Sequence, residues 1–326
     1  MMARSIFRAA AAALLALLCV HATVHAQDYP SRTVRIVIPF PPGGTSDILA
    51  RTLAQKLTEE WGQQVIAENR PGAAGNIASE YVAKAKPDGY TLLINTVGTH
   101  AINPAIYPNL PFDPVKDFTL ITNLVNLPSL LIVHPSVPAM SAQELIALAK
   151  KRPGALNYSS AGSGSQPHLT AEMFKTMAGV DLLHVPYKGA GPQLVAIISG
   201  EVSLTFATAP AAVPLVKNNQ ARAIAVTSAE RVAALPDVPT LNEAALPGYI
   251  AVGWNGLVGP AGIPAPIVAK IHAAVAKIYG QPEMRNRLIG LAAEPAISTP
   301  EEFSALVRSE IVKWSKAVKD SGAKLD

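Results

Sequence analysis

The sequence predicts an α/β fold in which two Rossmann-like domains are joined by a hinge. Short apolar segments alternate with amphipathic helical segments along almost the whole chain, which is the pattern of α/β proteins. A glycine-rich turn leads from a strand into a helix in each half of the chain. Two segments pass between the halves, and a double crossing of this kind forms a hinge. The only cysteine is Cys19, so we expect a core without disulfides.

Residues 1–26 have the pattern of a cleavable export signal. A start with two arginines precedes the apolar run 9–20, and residues 24–26 fit a small-x-small cleavage site. The run is too short to span a bilayer as a helix. Cys19 leaves a lipoprotein signal as the alternative, but Leu18 is bulky where such a signal has a small residue. The sequence therefore predicts an exported periplasmic protein that begins after this signal.

Composition and motifs argue against several classes of function. The formal net charge is only +4, no basic run is present and aromatic residues make up 6% of the chain, so nucleic-acid binding has no support. The sequence has neither a P-loop nor a Gly-x-Gly-x-x-Gly motif after a strand, so we expect no cofactor. The histidines of the exported part are scattered without ligand spacing, so we expect no metal site.

Two strand-to-helix units and a third strand are predicted in the first part of the exported chain. Branched apolar residues alternate over residues 34–38, and leucines repeat every four residues over 45–61, which predicts a buried strand followed by a helix. Turns of small residues, glycine and proline separate the elements that follow. These elements are strands at 64–68 and 90–95, a helix at 77–86 and a polar turn at 96–100.

The middle of the chain repeats this alternation. Residues 120–133 are apolar without a helical period, and we expect a strand, a crossover and a second strand there. Ser141 and Glu144 have the spacing of a capping box that starts a helix. The predicted strands are 156–159, 182–186, 202–207 and 222–227, and the predicted helices are 141–151, 167–178, 192–199 and 211–217.

The last part of the chain returns to the first domain. A proline-rich path over 231–249 leads to a predicted strand at 253–258 and then to a helix that begins at Pro266. The final helix has a capping box at Thr299 and Glu302. The predicted division is 27–128 plus 250–326 for domain 1 and 129–249 for domain 2.

Two glycine-rich turns carry the functional prediction. Residues 39–44 connect the first strand to its helix, and residues 160–165 do the same in the second domain. The first N–H groups of a helix have no partner inside it, and the helix dipole favours negative charge there. Two such turns facing each other would hold one small anion through uncharged donors. The alternative is that both are ordinary connections of an α/β fold.

Side chains near these turns have more than one interpretation. Asp47 either caps its own helix or orders the loop before it. His168 either lines the cleft as a neutral ring or lies exposed at a helix start, and Phe40 either forms an apolar lip or packs in the core. Four hydroxyl groups are neutral donors suited to a carboxylate that must be released again: Thr45, Ser160, Ser163 and Ser165.

Seven motifs in a fixed order carry a resemblance to a known family. They are PFPPGGTSD at 39–47, ENRPGAAG at 68–75, PDGYTL at 87–92, GTHAINP at 98–104, AGSGSQPH at 161–168, VPYKG at 185–189 and GPAGIP at 259–264. With these motifs the chain resembles the substrate-binding receptors of tripartite tricarboxylate transporters, the Bug-type receptors. The resemblance covers nearly the whole exported chain.

The resemblance implies a two-lobed periplasmic binding protein of the type II kind. Such a receptor, which we expect to be a monomer, closes on a small di- or tricarboxylate or aromatic acid and delivers it to the subunits of an inner-membrane permease. In these receptors the loops matching 40–47 and 160–168 grip the carboxylate, often through ordered waters. The implied ligand-binding set is Phe40, Gly43, Gly44, Thr45, Asp47, Ala74, Asn95, Thr96, Ser160, Gly162, Ser163, Gly164, Ser165, His168, Ala207 and Thr208.

One strand end departs from the family pattern. Relatives often carry Asp at the position of Ala207, where a carboxylate suits an amino group of the ligand. Ala207 and Thr208 therefore favour an organic acid without an amine, aromatic acids included.

Two other functions are compatible with the residues. A secreted serine hydrolase would use Ser163 or Ser165 with His168, although the Gly-x-Ser-x-Gly nucleophile motif is missing. A ligand sensor would bind the same acid and report it to a membrane signalling partner instead of a permease.

Overall fold

Strands and helices alternate in the computed structural model, which describes residues 29–290 and 292–321; the predicted signal at 1–26 lies outside the described residues. The strands are β1 (Val34–Ile38), β2 (Val65–Asn69), β3 (Thr91–Thr96), β4 (Phe118–Val133), β5 (Asn157–Ser160), β6 (Leu183–Pro186), β7 (Leu204–Thr208), β8 (Arg222–Val226), β9 (Val252–Pro260) and β10 (Glu294–Pro295). The helices are α1 (Thr45–Trp61), α2 (Asn76–Ala83), α3 (Asn103–Ile106), α4 (Ala142–Lys151), α5 (Gln166–Ala178), α6 (Ala190–Ile198), α7 (Ala209–Lys217), α8 (Leu241–Ala244), α9 (Ala265–Gly280), α10 (Pro282–Gly290) and α11 (Pro300–Ser321). A 3₁₀ turn (Ala73–Gly75) precedes α2, and a π-helical turn (Gly98–Ile102) precedes α3.

The strands form one mixed sheet with the order β2-β1-β3-β9-β4-β7-β5-β6, and β8 and β10 also pair with β4. On one side of β4, β1 is parallel to β2 and β3; on the other side, β5 is parallel to β6 and β7. Each side is therefore a small parallel sheet of βα units, which confirms the predicted two-lobed α/β fold.

The prediction of two strands with a crossover in residues 120–133 was wrong. A single strand, β4, runs from Phe118 to Val133 and changes its partners instead of breaking. It pairs with β9 as far as Pro128, and with β7 and β8 from Ser129 onward. Pro128 cannot donate to a ladder, and it lies where one ladder ends and the next begins. The whole segment is apolar because β4 is buried both before and after the residue at which its partners change.

A second segment, which contains Ala251, crosses between the lobes beside β4. Thr227 is hydrogen-bonded both to this segment and to β4. The Thr227 amide donates to the carbonyl of Ser129, and the Ser129 amide donates to the Thr227 hydroxyl, both at 2.9 Å. The same hydroxyl donates to the carbonyl of Ala251 at 2.7 Å, and the Ala251 amide returns a bond to Thr227. One side chain thus joins both crossing segments where the lobes meet.

The C-terminal helix α11 covers the back of this junction. It packs against the π-helical turn, α3 and β4, and also against α5 of the other lobe. Phe303 meets the buried Trp254 edge-on, with 5.5 Å between the ring centroids. The predicted capping box at its start is confirmed, because the Thr299 amide donates to Glu302 and the Glu302 amide donates to the Thr299 hydroxyl.

The predicted polar turn at 96–100 is instead the start of a helical segment. Thr96 and Thr99 exchange backbone-to-hydroxyl bonds of 3.0 and 3.2 Å, which turn the chain inward. His100 is consequently buried, with its ring centroid 4.6 Å from that of Phe118 and 6.1 Å from that of Phe112. Burial in this aromatic setting lowers the pKa of His100 to about 3.

This buried histidine predicts a specific loss of stability in acid. As the pH falls below the ordinary imidazole pKa of about 6.5, the imidazole of this residue binds a proton in the unfolded chain but stays neutral in the folded protein. The stability that the neutral ring contributes is thus present above about pH 6.5 and falls by about 2 kcal/mol by pH 5. Between pH 7 and pH 5 the free energy of unfolding should therefore fall more in the wild type than in His100→Leu. The difference between the two decreases should be about 2 kcal/mol, measured by chemical denaturation.

Phe112→Leu supplies the control, because it disturbs the same aromatic cluster without removing a titratable group. It should keep the pH dependence of the wild type. Equal pH slopes for the wild type and His100→Leu would contradict a neutral buried ring at this position.

Candidate functional site

The strand directions point the βα turns of both lobes at the middle of β4. Strands β3 and β4 are both antiparallel to β9, so β3 runs the same way as the first part of β4. Strand β7 is antiparallel to β4 and runs back toward the change of partners. The carboxyl ends of the parallel strands therefore face one another across the junction, where ligands bind in open α/β sheets.

The strand registers give the distance along β4 between the carboxyl ends of β3 and β7. Thr96, the last residue of β3, lies opposite Asn255, which lies opposite Val125 of β4. Thr208, the last residue of β7, lies opposite Ser129 of β4. Four residues of extended strand separate the two levels, a distance of about 13 Å. Strands β1 and β5 lie beside β3 and β7, so the turns that follow them are on the same edges of the two parallel sheets.

The three turns of the first lobe touch each other. A methyl group built on Gly75 would lie 2.6 Å from the Thr99 side chain and 3.0 Å from Pro39, and 3.8 Å from the ring of Phe40. Gly75 has φ +92°, so a side chain is excluded by conformation as well as by space. The Asn69 amide donates to the carbonyl of Phe40 at 2.9 Å. The turns after β1, β2 and β3 thus form one surface.

Asp47 holds the first of these turns in shape. Its carboxylate accepts bonds from the Gly43 amide at 3.0 Å, from the Arg51 guanidinium at 3.0 and 3.1 Å and from the Asn69 amide at 2.9 Å. Burial opposes ionisation of Asp47, but the bonds from Arg51, Gly43 and Asn69 outweigh burial and hold its pKa below the usual value. Of the two interpretations of Asp47, the contacts favour the one in which it orders the loop.

The remaining predicted residues of this lobe differ in exposure. Gly43, Gly44 and Ala74 are exposed, and Thr45 and Phe40 are half-buried. Ala74 has the left-handed backbone conformation (φ 52°, ψ 30°), which is rare for a residue with a side chain and projects the turn outward.

Two predicted residues of β3 are buried instead. Asn95 has no solvent exposure and lies against Gly256 near the ring of Phe303, and Thr96 is 7% exposed. Asn255, which the sequence did not mark, donates to the hydroxyl of Ser46 at 2.7 Å and so attaches the start of α1 to the central strand β9. The only signal for it was a polar residue between apolar neighbours in a predicted strand.

The turn of the second lobe rests on a stack of three rings. His168 is 6% exposed, and its Nδ1 accepts a bond from the Gly164 amide at 3.0 Å. The ring of His184 lies parallel to that of His168 with 4.0 Å between centroids, and the ring of Tyr158 lies nearly parallel to both, 4.8 Å from His184 and 6.4 Å from His168. His168 is therefore inside the turn and supports it from below.

Ser160 belongs to the same support. Its hydroxyl is buried, lies 2.6 Å from Nε2 of His184 and accepts a bond from the Gly162 amide at 3.2 Å. Ser165 caps α5 by accepting a bond from the His168 amide. Gly162, Ser163 and Ser165 are half-buried, and Gly164 is buried. The sequence missed His184, because its proximity to this turn appears only once β6 is paired with β5.

The end of β7 completes this lobe without a charge. Ala207 is 3% exposed and belongs to an apolar cluster with Leu130 and Ala212, while Thr208 is half-buried and precedes α7. In the part of the chain that the structure describes, no three potential metal ligands of the His, Cys, Asp or Glu type gather at one place. No helix among the described residues is long and apolar enough to cross a bilayer.

An α/β molecule whose two lobes turn their βα loops toward a shared gap has the architecture of the periplasmic solute-binding proteins. A family model described as the tripartite tricarboxylate transporter family receptor matches residues 49–323. This chain therefore belongs to that family of receptors, as the motifs suggested. The members of this family are periplasmic binding proteins and not enzymes, which removes the hydrolase alternative.

Relatives by sequence cover nearly the whole length. BugT of Bordetella pertussis (strain Tohama I) is 32% identical over 305 residues, which are 93% of this chain and 94% of BugT. A UPF0065 protein from the tcbD-tcbE intergenic region of Pseudomonas sp. (strain P51) is 36% identical over 291 residues, which are 89% of this chain and 86% of that protein.

Similar solved structures confirm the fold. Rpa4515 of R. palustris, solved with adipate, has a TM-score of 0.86 and 40% identity and covers 92% of this chain and 100% of its own. MatC from Rhodopseudomonas palustris, solved with bound malate, has a TM-score of 0.79 and 36% identity over 89% of this chain and 100% of its own. The periplasmic binding protein BugD has a TM-score of 0.81 and 32% identity over 91% and 100%.

The contacts of Asp47 lead to a prediction about the first turn. Asp47→Asn keeps the shape of the side chain but removes the charge that pairs with Arg51 and strengthens the bond from the Gly43 amide. We expect the free energy of unfolding to fall by about 1–3 kcal/mol, measured by chemical denaturation.

The matched control is Glu59→Gln, which removes an exposed ion pair with Lys56 on the same helix. This change should leave the stability nearly unchanged. If both variants behave alike, Asp47 does not order the turn.

Proposed function

We propose that this protein captures a small organic carboxylate between its lobes in the periplasm and delivers it to a tripartite tricarboxylate-type membrane transporter. The observation that carries the proposal is the register along β4, which sets the carboxyl ends of β3 and β7 about 13 Å apart, beside the strands that lead into the βα turns at 39–44 and 161–165. The adipate and malate bound by Rpa4515 and MatC support a carboxylate as the ligand class.

The gap favours an anion because two helices begin at it. Helices α1 and α5 contain 17 and 13 residues, and both start at a turn on the gap. The positive end of each dipole and the first N–H groups of each helix act on the same ligand. Some of the amides are already used: Gly43 donates to Asp47 and Gly164 donates to His168. We therefore assign the carboxylate to the first-turn amides of Thr45 and Ser46 and to the hydroxyl groups of the facing turn.

The proposed closure separates the chain into two rigid parts. Domain 1 comprises 27–128 and 250–326, and domain 2 comprises 129–249, after removal of the signal at 1–26. The change of partners of β4 at Pro128 and Ser129 supports this division. We expect the protein to act as a monomer, because one chain supplies both ligand-binding turns.

The chemistry of the second lobe narrows the ligand class. Ala207 offers no acceptor for an ammonium group, and the nearby Thr208 is uncharged. We therefore propose an organic acid without an amine in preference to an amino acid.

A ligand screen tests the proposal directly. Ligand that binds the folded state raises the apparent stability, by about 2.7 kcal/mol at one hundred times Kd. Protein that has been unfolded and refolded to remove carried-over ligand should show a rise in Tm with succinate, malate, adipate or an aromatic acid. An absence of any shift across these acids, with amino acids and sugars as the comparison set, would falsify the proposed ligand class.

Delivery to a transporter needs a separate measurement. Detergent-solubilised membrane subunits of the cognate permease should retain the receptor more strongly when the stabilising acid is present. Retention by a membrane kinase instead would favour the sensor.

The first turn supplies a variant that separates binding from folding. A methyl group built on Gly44 meets nothing within 4 Å, and its φ of −81° suits any residue, so Gly44→Val should fold normally. Its side chain would obstruct the start of α1, and we expect at least tenfold weaker binding of the stabilising acid by calorimetry.

Gly280→Val is the control, because Gly280 also has open space around it and lies at the end of α9 outside the turns. It should bind as the wild type does. If Gly44→Val binds normally while its Tm is unchanged, the ligand does not use the start of α1.

A further inference from the structure

Lys188 is an exposed cation directly after β6, next to the ligand-binding turn of the second lobe. The register of β5 and β6 pairs Ser160 with Pro186, which places Lys188 level with Gly162. The Gly189 amide donates to the carbonyl of Ala161 at 3.1 Å. The two turns are therefore in direct contact, although they are separated by more than twenty residues in the sequence.

The two lobes are built alike around this position. In the first lobe the order β2-β1-β3 places the glycine-rich turn after the middle strand, and in the second lobe the order β6-β5-β7 does the same. A cation follows the outer strand in each case: Arg70 after β2, and Lys188 after β6. By backbone contacts the equivalent of Arg70 is Tyr187, because the Arg70 amide donates to the carbonyl of Ile38 and the Tyr187 amide donates to that of Ser160; Lys188 is the next residue.

The two cations, Arg70 and Lys188, differ in whether a carboxylate compensates their charge. Arg70 lies 2.6 Å from the carboxylate of Glu68 and stacks on the ring of Tyr81 at 3.7 Å. Arg51, the other cation near the first turn, pairs with Asp47 at 3.0 Å. Among residues 29–290 and 292–321, Lys188 makes no ion pair with a carboxylate. Of these three cations beside the glycine-rich turns, Lys188 alone lacks a carboxylate partner among the described residues.

We propose that Lys188 binds the second carboxylate of a dicarboxylate ligand and makes the receptor selective for dianions over monoanions. The inference rests on the proposed function, in which the helix starts hold the first carboxylate. The uncharged turns fit one carboxylate equally well in either kind of acid, so they cannot discriminate by charge. An ammonium group on a flexible stem can reach acids of different length, and its attraction strengthens when lobe closure removes water from the gap.

The test compares acids that differ in one charge. Succinate, malate and adipate are each titrated beside their monomethyl esters into the wild type, Lys188→Met and Lys188→Arg by calorimetry. In Lys188→Met we expect three- to tenfold weaker binding of the diacid that the wild type prefers, and binding of its monoester within twofold of the wild type. Lys188→Arg should retain the preference. The preference of the wild type should also decrease with added salt.

Lys217→Met is the matched control, because Lys217 is an exposed lysine of the same lobe at the far end of α7. It should not change either affinity. The inference is overturned if Lys188→Met weakens the diacid and the monoester equally, or weakens neither, in which case Lys188 is a solvated lysine or contacts a partner. If the wild type binds none of these acids or esters, the failure is that of the proposed function itself.

Discussion

The continuous strand β4 is the constraint on which the rest of the structure depends. It belongs to the ladders of both lobes, so the registers of β9, β7 and β8 along it fix where every other strand ends. The carboxyl ends of β3 and β7 are thereby held four residues apart along one backbone. The hydrogen-bond register along β4 thus turns the two sets of βα turns toward each other.

The turns are supported from within the protein, and this leaves their outer donors for a ligand. Asp47 in the first lobe and His168 in the second lobe are buried and accept bonds from amides of their own turns, and His184 stacks on His168. Preorganisation of this kind lowers the entropy cost of binding, because the loops do not have to be ordered by the ligand. Charged groups near the first turn neutralise one another, whereas Lys188, beside the turn of the second lobe, makes no ion pair with a carboxylate among the described residues.

Local features of the sequence predicted the parts of this site that local physics determines. The alternation before Pro39, the glycines after it and the capping residues of α4 and α11 act over a few residues, and the structure places each of these elements as predicted. Long-range pairing decided the rest. The unbroken course of β4, the burial of His100 and the stacking of His184 on His168 depend on which strands become neighbours, and no pattern within one segment records that.

The same architecture restricts how the lobes can move. Thr227 bonds to both crossing segments, so these segments are held together where they leave the first lobe. A rotation of one lobe against the other would therefore have to occur in the few residues beside Thr227. Helix α11 contacts both lobes behind the junction, and Tyr249 donates to the carbonyl of Thr170 in α5. The proposed closure at the front would therefore require α5 to slide along α11 at the back. Packed helices slide by small steps, so the proposed lobe motion should be a limited rotation that keeps the core intact.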